Sequence, residues 1–437
     1  MNFEIKKDTY SKIRKSKEII KKEKQKIKEE QKKLRKEKRE KKKSKEEKNE
    51  VFSLKEQIIS MIYFEIIGAI LCLLVLFALS GGKNYFRLYK ELNKLINIYD
   101  TITSNYYGDL DKEEIIDSAI ASMMNSIGDD YTNYTDDDAS ENPLEKLEGS
   151  YEGIGLTVST TMDKEIIVAS VFKDGPAAKA GIEVNDIIIK VDGYDFSDKT
   201  SDEMATYIKK SSNSTVDLTI RRNNEEKEMT VTREKVEIPS VSSTVITKDD
   251  KKIGYIDISI FSAVTYNQFK KQLEALEKEN IEGLVIDVRS DTGGYLTCVT
   301  DISKLFLKKG QIIYQLKDDN ITEKIKDTTK EHRQYPIVVL INAESASASE
   351  ILAAAIKESY GGIVVGTPSF GKGTVQKTQI LKDGSMIKYT TQNWLTPNGN
   401  WINEVGVKPT IEVELDLSQN SDNQLEVAID EIINKIN

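Results

Sequence analysis

A single histidine, His332, and two cysteines, Cys72 and Cys298, are all that the 437 residues hold of the side chains most used for metal binding and neutral-pH catalysis. One histidine cannot complete an HExxH zinc helix, and no Cys/His cluster with metal-ligand spacing is present. Cysteine–histidine nucleophiles fall away too, as does nearly every Ser-His-Asp triad, save one built on His332 itself. His332 reads instead as a surface residue ahead of a strand. The two cysteines do not pair, because Cys72 lies in a long apolar run and Cys298 in a distal segment of different character. No metal and no cofactor is expected. The length exceeds the roughly 100–200 residues of one domain, so two or three cores are expected.

Charge is unevenly spread. Residues 1–50 hold about 22 Lys/Arg against about 11 Asp/Glu, so with −9 overall the remaining residues carry about −20. Between the two parts runs Ile58–Ser80, about 23 mostly apolar residues, long enough at about 1.5 Å each to cross a hydrocarbon core of about 30 Å. The pattern predicts one transmembrane helix over 58–80, with Glu65 near the headgroups. The lysine-rich arm, 1–57, would then be a solvated cytoplasmic tail, and everything after Gly81 would be extracytoplasmic. Without a small-residue cleavage site, the span reads as an uncleaved signal anchor of a single-pass cell-membrane protein.

Beyond it, residues 84–142 read as a small helical module. Leu88, Leu92, Leu95, Ile96 and Tyr99 recur at helical spacing, then Ile115, Ile116, Ala119, Ile120 and Met123, until Gly128 and the acidic stretch Asp129–Asp138 close it. Residues 150–236 change period: β-rich runs at Glu165–Val171, Asp186–Val191 and Val216–Arg221 surround one helical stretch, Ser201–Lys210, giving a compact α+β domain. In residues 250–437 apolar strands alternate with helices, as in an α/β core with buried parallel strands: Ile253–Ile258, a helix over Tyr266–Lys278, Gly283–Val288, Ile337–Ile341, a helix over Ala348–Glu358 and Ile363–Gly366.

The run Gly153-Ile154-Gly155-Leu156, followed by Gly175-Pro176-Ala177-Ala178-Lys179-Ala180-Gly181-Ile182, resembles the PDZ fold, especially the circularly permuted kind of bacterial proteases. The resemblance implies that Gly153, Ile154, Gly155 and Leu156 bind peptide. Backbone N–H groups of such a loop face a terminal carboxylate, and the peptide adds a strand to the sheet edge.

Three segments of the α/β region stand out. Leu284–Asp287 is a buried strand that runs through Val288-Arg289-Ser290-Asp291-Thr292 into Gly293-Gly294; Asn342–Glu350 contains Ser345, Ser347 and Ser349 between a strand and an Ala-rich helix; and Gly366–Gln376 includes Phe370-Gly371-Lys372-Gly373. The third fits G-x-x-x-x-G-K and invites a P-loop nucleotidase reading. Against it, Gly373 replaces the metal-binding Ser/Thr, Thr374–Ile380 alternates like a strand where a helix is required, and the aspartate strand precedes the loop.

Together the segments resemble those of the carboxyl-terminal processing peptidases, also called tail-specific proteases, whose patterns look like D-x-R-x-N-x-G-G, S-A-S-A-S-E and T-F-G-K-G-x-V-Q. The likeness runs from about Tyr106 to the end, taking in Gly128-Asp129-Asp130-Tyr131-Thr132 and Thr390–Gly399. It implies Ser347 as nucleophile, Lys372 as base and Gln376 as the group that orients the lysine. Gly293 and Ala348 would supply the oxyanion hole through their N–H groups. It also implies a core of the crotonase/Clp protease-like type, to which a PDZ domain gates access. Ser290-Asp291-Thr292 departs from the family's Asn-Asn-Pro, and Ser369 replaces Thr.

The physical reading runs beside this. A serine hydroxyl needs a base, and a lysine desolvated from about 10.4 toward neutrality can serve; Phe370 and the flanking glycines suit such a pocket. Ser347 at a helix N-terminus places N–H groups where an oxyanion would develop, while the plainer role for a serine there is an N-cap. The expected protein is a membrane-anchored, ATP-independent serine endopeptidase that processes proteins near their C-termini. Its partners would be protein or peptide substrates with free C-terminal tails and the membrane through one helix, not nucleic acid; a homodimer is left open. The rival readings are an inactive PDZ scaffold and the nucleotidase.

Overall fold

A computed structural model of the chain describes residues 54–79, 85–136, 143–319, 321–418 and 421–436, with scattered positions between 23 and 38. Most of the expected cytoplasmic arm, 1–57, and Asp137 and Asp138 of the acidic stretch lie outside the described residues. Compact units divide between Leu110 and Asp111.

In the first unit the helices Leu54–Leu79 and Tyr85–Asn105 follow one another along the chain. The expected membrane span does not stand: among the described residues no helix is long and apolar enough to cross a membrane. Glu65 stands within the helix Leu54–Leu79, an acidic group that is costly to place in hydrocarbon. With that span go the signal anchor, the single-pass topology with its cytoplasmic N-terminus and extracytoplasmic catalytic domain, and the membrane as a partner.

The second unit opens with the helix Lys112–Asn125. Asp111 starts it by accepting the N–H groups of Glu113 and Glu114 at 3.0 and 3.1 Å, which satisfies donors the first turn leaves free. A short strand, Asn133–Thr135, then pairs antiparallel with Met386–Leu395, so this early segment is stitched into a sheet of the C-terminal region.

Residues 150–237 build an antiparallel sheet in the order Leu156–Thr160, Ile166–Val171, Ile187–Val191, Thr215–Arg222, Glu225–Thr232. Alternation puts Val216, Leu218 and Ile220 into its core, with Ile166, Val168, Ile188 and Val231 beside them. The helix Ser201–Lys210 starts at a capping box, in which Thr200 and Glu203 satisfy each other's main chain, and buries Met204 and Ile208 one turn apart. Beside the sheet, Asp186 is 1% exposed and takes Arg222 in a two-pronged ion pair, with both bonds at 2.6 Å. The same guanidinium reaches Glu183 and the Gly181 carbonyl.

The C-terminal core is a six-stranded sheet: Val241–Lys248, Lys251–Ile258, Gly283–Asp287, Ile337–Ile341, Ile363–Gly366, Ile411–Glu412. Only the first pair is antiparallel. Gly283–Asp287, Ile337–Ile341 and Ile363–Gly366 are buried at every position, because helices cover both faces. Phe269, Leu273 and Leu276 of the helix Thr265–Lys278 pack on one side with Ile351 and Leu352 of Ala348–Ala355, and Ile429, Ile432 and Ile433 of Asn423–Ile436 on the other. In such a sheet, ligands bind in the crevice outside the carboxyl ends of the strands. Here those ends carry the loops 288–294, 342–347 and 367–373.

Removing Arg222 leaves a buried carboxylate uncompensated, so Arg222→Ala is expected to lower stability by about 3 kcal/mol in urea unfolding of the full chain at pH 7. Burial alone would raise the Asp186 carboxyl, but the Arg222 guanidinium outweighs it and holds the group below its ordinary value. The pair's contribution is therefore complete above about pH 4 and is lost as the pH falls through that lowered value, so the deficit of the variant should shrink in acid. A deficit independent of pH would disprove this account.

Candidate active site

The three loops are bonded to one another. The Ala346 N–H donates to the Asp291 carbonyl at 3.0 Å, and the Phe370 N–H to the Ser345 carbonyl at 3.0 Å. Of the three serines in the middle loop and the first turn of the helix after it, two are spent on structure. Ser345 Oγ donates to the Val288 carbonyl at 2.7 Å and Ser349 Oγ to the Asp291 carbonyl at 2.9 Å, both side chains being fully buried. Ser347 lies between them, partly exposed, just ahead of the Ala348–Ala355 helix. Its backbone sits at φ 55° and ψ −110°, where an L residue pays about 1–3 kcal/mol of strain, a cost that surrounding structure tolerates most often at functional turns.

Glu350 holds this turn. Fully buried one turn into the helix, it accepts the Ser347 N–H at 2.7 Å and the Lys372 N–H at 2.9 Å on Oε2. Its Oε1 takes the Gly371 N–H at 2.7 Å and Ser369 Oγ at 2.6 Å. One carboxylate oxygen thus bonds the main chains of residues 347 and 372 directly. Burial raises the Glu350 carboxyl, and the donors oppose that rise.

Lys372 is largely enclosed. Its ammonium lies 4.6 Å from the centre of the Tyr131 ring, and its carbonyl accepts Trp394 Nε1 at 2.7 Å. Burial, helped by the like charge of Lys388 and opposed by Glu350 and Asp129, pulls the amine down to about 8. The pocket wall is not the expected one: Phe370 is 55% exposed, and Tyr131 from the Gly128–Thr132 segment covers the lysine instead. Thr132 Oγ1 accepts the Thr390 N–H at 3.1 Å, which fixes that segment to the sheet behind the site.

The remaining positions fall as follows. Gln376 Nε2 donates to Thr374 Oγ1 at 2.8 Å and Thr390 Oγ1 at 3.2 Å. Gly293 sits hard against the serine turn at φ 99°, where a Cβ would lie 2.7 Å from the Ala346 oxygen and 2.9 Å from Ala348 N. Its N–H, however, is engaged by Asp291 Oδ1 at 2.8 Å. Ala348 heads the helix as its first residue. His332 is exposed, its ring beside Gln334 Nε2. The G-x-x-x-x-G-K loop leads into the strand Thr374–Ile380 and not into a helix, which removes the nucleotide-binding reading.

In the β-rich domain, Gly153 ends the strand Ser150–Gly153, Ile154 is buried, Gly155 takes φ 77° and Leu156 begins the strand Leu156–Thr160. That strand is the outermost of its sheet, paired on one side only among the described residues.

Comparison with known proteins decides the family. The model of Peptidase family S41 matches residues 252–413, a PDZ domain model 152–232, and that of the Activating protease CtpB N-terminal domain 79–139. The Carboxy-terminal processing protease CtpB of Bacillus subtilis is 40% identical over 330 residues, covering 74% of this chain and 68% of that protein. The chain belongs to peptidase family S41. This S41 peptidase is a serine-type endopeptidase of the tail-specific group and carries a PDZ domain. A Probable CtpA-like serine protease of Staphylococcus aureus is 34% identical, over 74% of this chain and 65% of its own length. A solved photosystem II D1 C-terminal processing protease is 24% identical with a TM-score of 0.44, over 76% of this chain and 87% of that one.

Sequence reasoning assigned no role to Glu350 or Tyr131. Glu350 had a local signature, since Ser347-x-x-Glu350 ahead of an apolar helix has the form of a capping box; Tyr131 had none, its partner being far along the chain. Glu350→Ala strands four donors and frees both loops, so kcat/KM on a peptide substrate is expected to fall by about 100-fold with helix content retained. Glu350→Gln, which keeps one acceptor oxygen, should fall between the two. Unchanged kcat/KM in the alanine variant would show that the carboxylate does not hold the site.

Proposed function

We propose that this S41 peptidase cleaves proteins near their C-termini without ATP, with Ser347 as nucleophile and Lys372 as general base. The observation that carries the reading is the lysine's environment. An amine drawn down to about 8 by burial is partly uncharged at neutral pH, and its main chain is bonded to the same Glu350 oxygen as that of Ser347. That the neighbouring serines are occupied leaves Ser347 as the hydroxyl for attack.

In the proposed cycle the neutral Lys372 amine takes the Ser347 proton as Oγ adds to a peptide carbonyl. The resulting oxyanion develops at the helix N-terminus, beside the Ala348 and Gly293 N–H groups. The Lys372 ammonium returns the proton to the departing amine, leaving an acyl-enzyme. Water, deprotonated by the same amine, then releases the acyl group and restores the hydroxyl. A substrate tail would add as a strand to the open edge at Leu156–Thr160, with its terminal carboxylate at Gly153–Leu156.

The test uses the full chain with an unfolded protein ending in apolar residues, without nucleotide. Wild type should cleave it, and Ser347→Ala and Lys372→Ala should each lose at least about 1,000-fold in kcat. Binding without cleavage would point to the scaffold reading. Because the base must be neutral, activity should fall as the pH is lowered below neutrality. Amidating the substrate's C-terminus should raise KM; an unchanged KM would refute carboxylate capture by the PDZ loop.

A further inference from the structure

The proposed mechanism leaves one buried ionisable group at the site without a role. Asp291 is 0% exposed and stands two residues before Gly293. Its Oδ1 accepts the Gly293 N–H at 2.8 Å, and its Oδ2 has no hydrogen-bond partner among the described residues. The main chain around it is pinned to both sides of the serine turn: its carbonyl takes the Ala346 N–H at 3.0 Å and Ser349 Oγ at 2.9 Å, and its own N–H reaches the Val288 carbonyl at 3.3 Å. The backbone being fixed, the charge on the carboxyl is the remaining variable.

We propose that Asp291 is a positioning residue whose ionisation decides whether the Gly293 N–H is available to the oxyanion. The inference rests on the Ser347/Lys372 reading above. An ionised Asp291 opposes catalysis twice, because a carboxylate is a stronger acceptor than a neutral acid and competes for the N–H, and because it sets a negative charge beside the oxyanion. The neutral acid carries no charge, and its carbonyl oxygen competes for the N–H only weakly.

The surroundings favour that neutral form. Burial, reinforced by Asp257 on the adjacent strand Lys251–Ile258 and opposed by the Gly293 N–H and Ser349, lifts the carboxyl to about 7. The other titratable group facing it is the Cys298 thiol of the helix Leu296–Ser303, itself pushed up by burial to about 12 and therefore uncharged. Catalysis then needs two neutral groups of opposite kind: Lys372 without its proton and Asp291 with it. The pH profile of kcat/KM should be a bell whose rise ends near 7 and whose fall begins near 8, because the state with a neutral amine and a protonated acid is most populated between those values.

The experiment compares kcat/KM across pH 6 to 10 for the full-length wild type, Asp291→Asn and Ser347→Ala. Asparagine keeps a carbonyl acceptor for the Gly293 N–H but cannot ionise, so D291N should climb to a plateau without an alkaline fall. At pH 9 it should exceed wild type by about tenfold or more. If D291N is folded by circular dichroism and its profile superimposes on that of wild type, the inference is overturned. Should D291N not fold, the wild-type profile decides: a bell supports the inference, and a single rise with no alkaline fall overturns it. Cleavage that persists in Ser347→Ala would instead overturn the nucleophile assignment, which separates the two failures.

Discussion

The site hangs on one buried carboxylate. Glu350 is fully enclosed, and its two oxygens collect four donors, three of them main-chain N–H groups, from two loops that leave different strands. Such a charge is costly to bury unless every lone pair finds a donor, and here the donors are the very groups whose placement matters. The arrangement works in both directions. The loops keep the carboxylate satisfied, and the carboxylate keeps a strained turn at Ser347 and a glycine-flanked lysine in one another's neighbourhood. A serine at φ 55° would otherwise relax, since nothing in its own sequence favours that backbone.

The sheet makes this convergence possible. Gly283–Asp287, Ile337–Ile341 and Ile363–Gly366 are adjacent and parallel, so the chain leaves all three at the same edge. A rigid, doubly covered sheet fixes the origins of the loops to within the packing tolerance of its core, while the glycines let the loops approach one another more closely than side chains would allow. Gly293 illustrates the limit: any Cβ there would collide with the main chain of the serine turn.

Much of the framework was legible because local chemistry produces it. Strands buried on both faces appear as unbroken apolar runs, and Ile337–Ile341 and Ile363–Gly366 form over the residues that the pattern indicates. The Ser201–Lys210 helix does likewise, its start written in the Thr200/Glu203 capping box. The Ala348 helix was expected to run to Glu358, but regular α-helix ends at Ala355 and widens into a π turn over Ile356–Tyr360, a change that the apolar period does not encode. What was illegible is non-local. Asn133–Thr135 pairs with a strand some 250 residues away, and Tyr131 meets Lys372 through that pairing, whereas Phe370, adjacent in sequence to the lysine loop, turns outward. Apolar composition likewise suggested a membrane span at Ile58–Ser80 that the described helix does not supply.

A common cause acts on two groups beside the proposed chemistry. Low-dielectric surroundings disfavour any charged form, so the same enclosure lowers the Lys372 amine and raises the Asp291 carboxyl. The lysine result is a contest with a clear winner. A fall from about 10.4 to about 8 corresponds to about 3 kcal/mol against the ammonium. The Tyr131 ring face favours the ammonium by only about 0.5–2 kcal/mol. Desolvation therefore prevails over that attraction, as it does over the charges of Glu350 and Asp129 that favour the ammonium. A site built this way draws the amine of Lys372 and the carboxyl of Asp291 toward their neutral forms by excluding water, while the chain's one imidazole, His332, stays exposed.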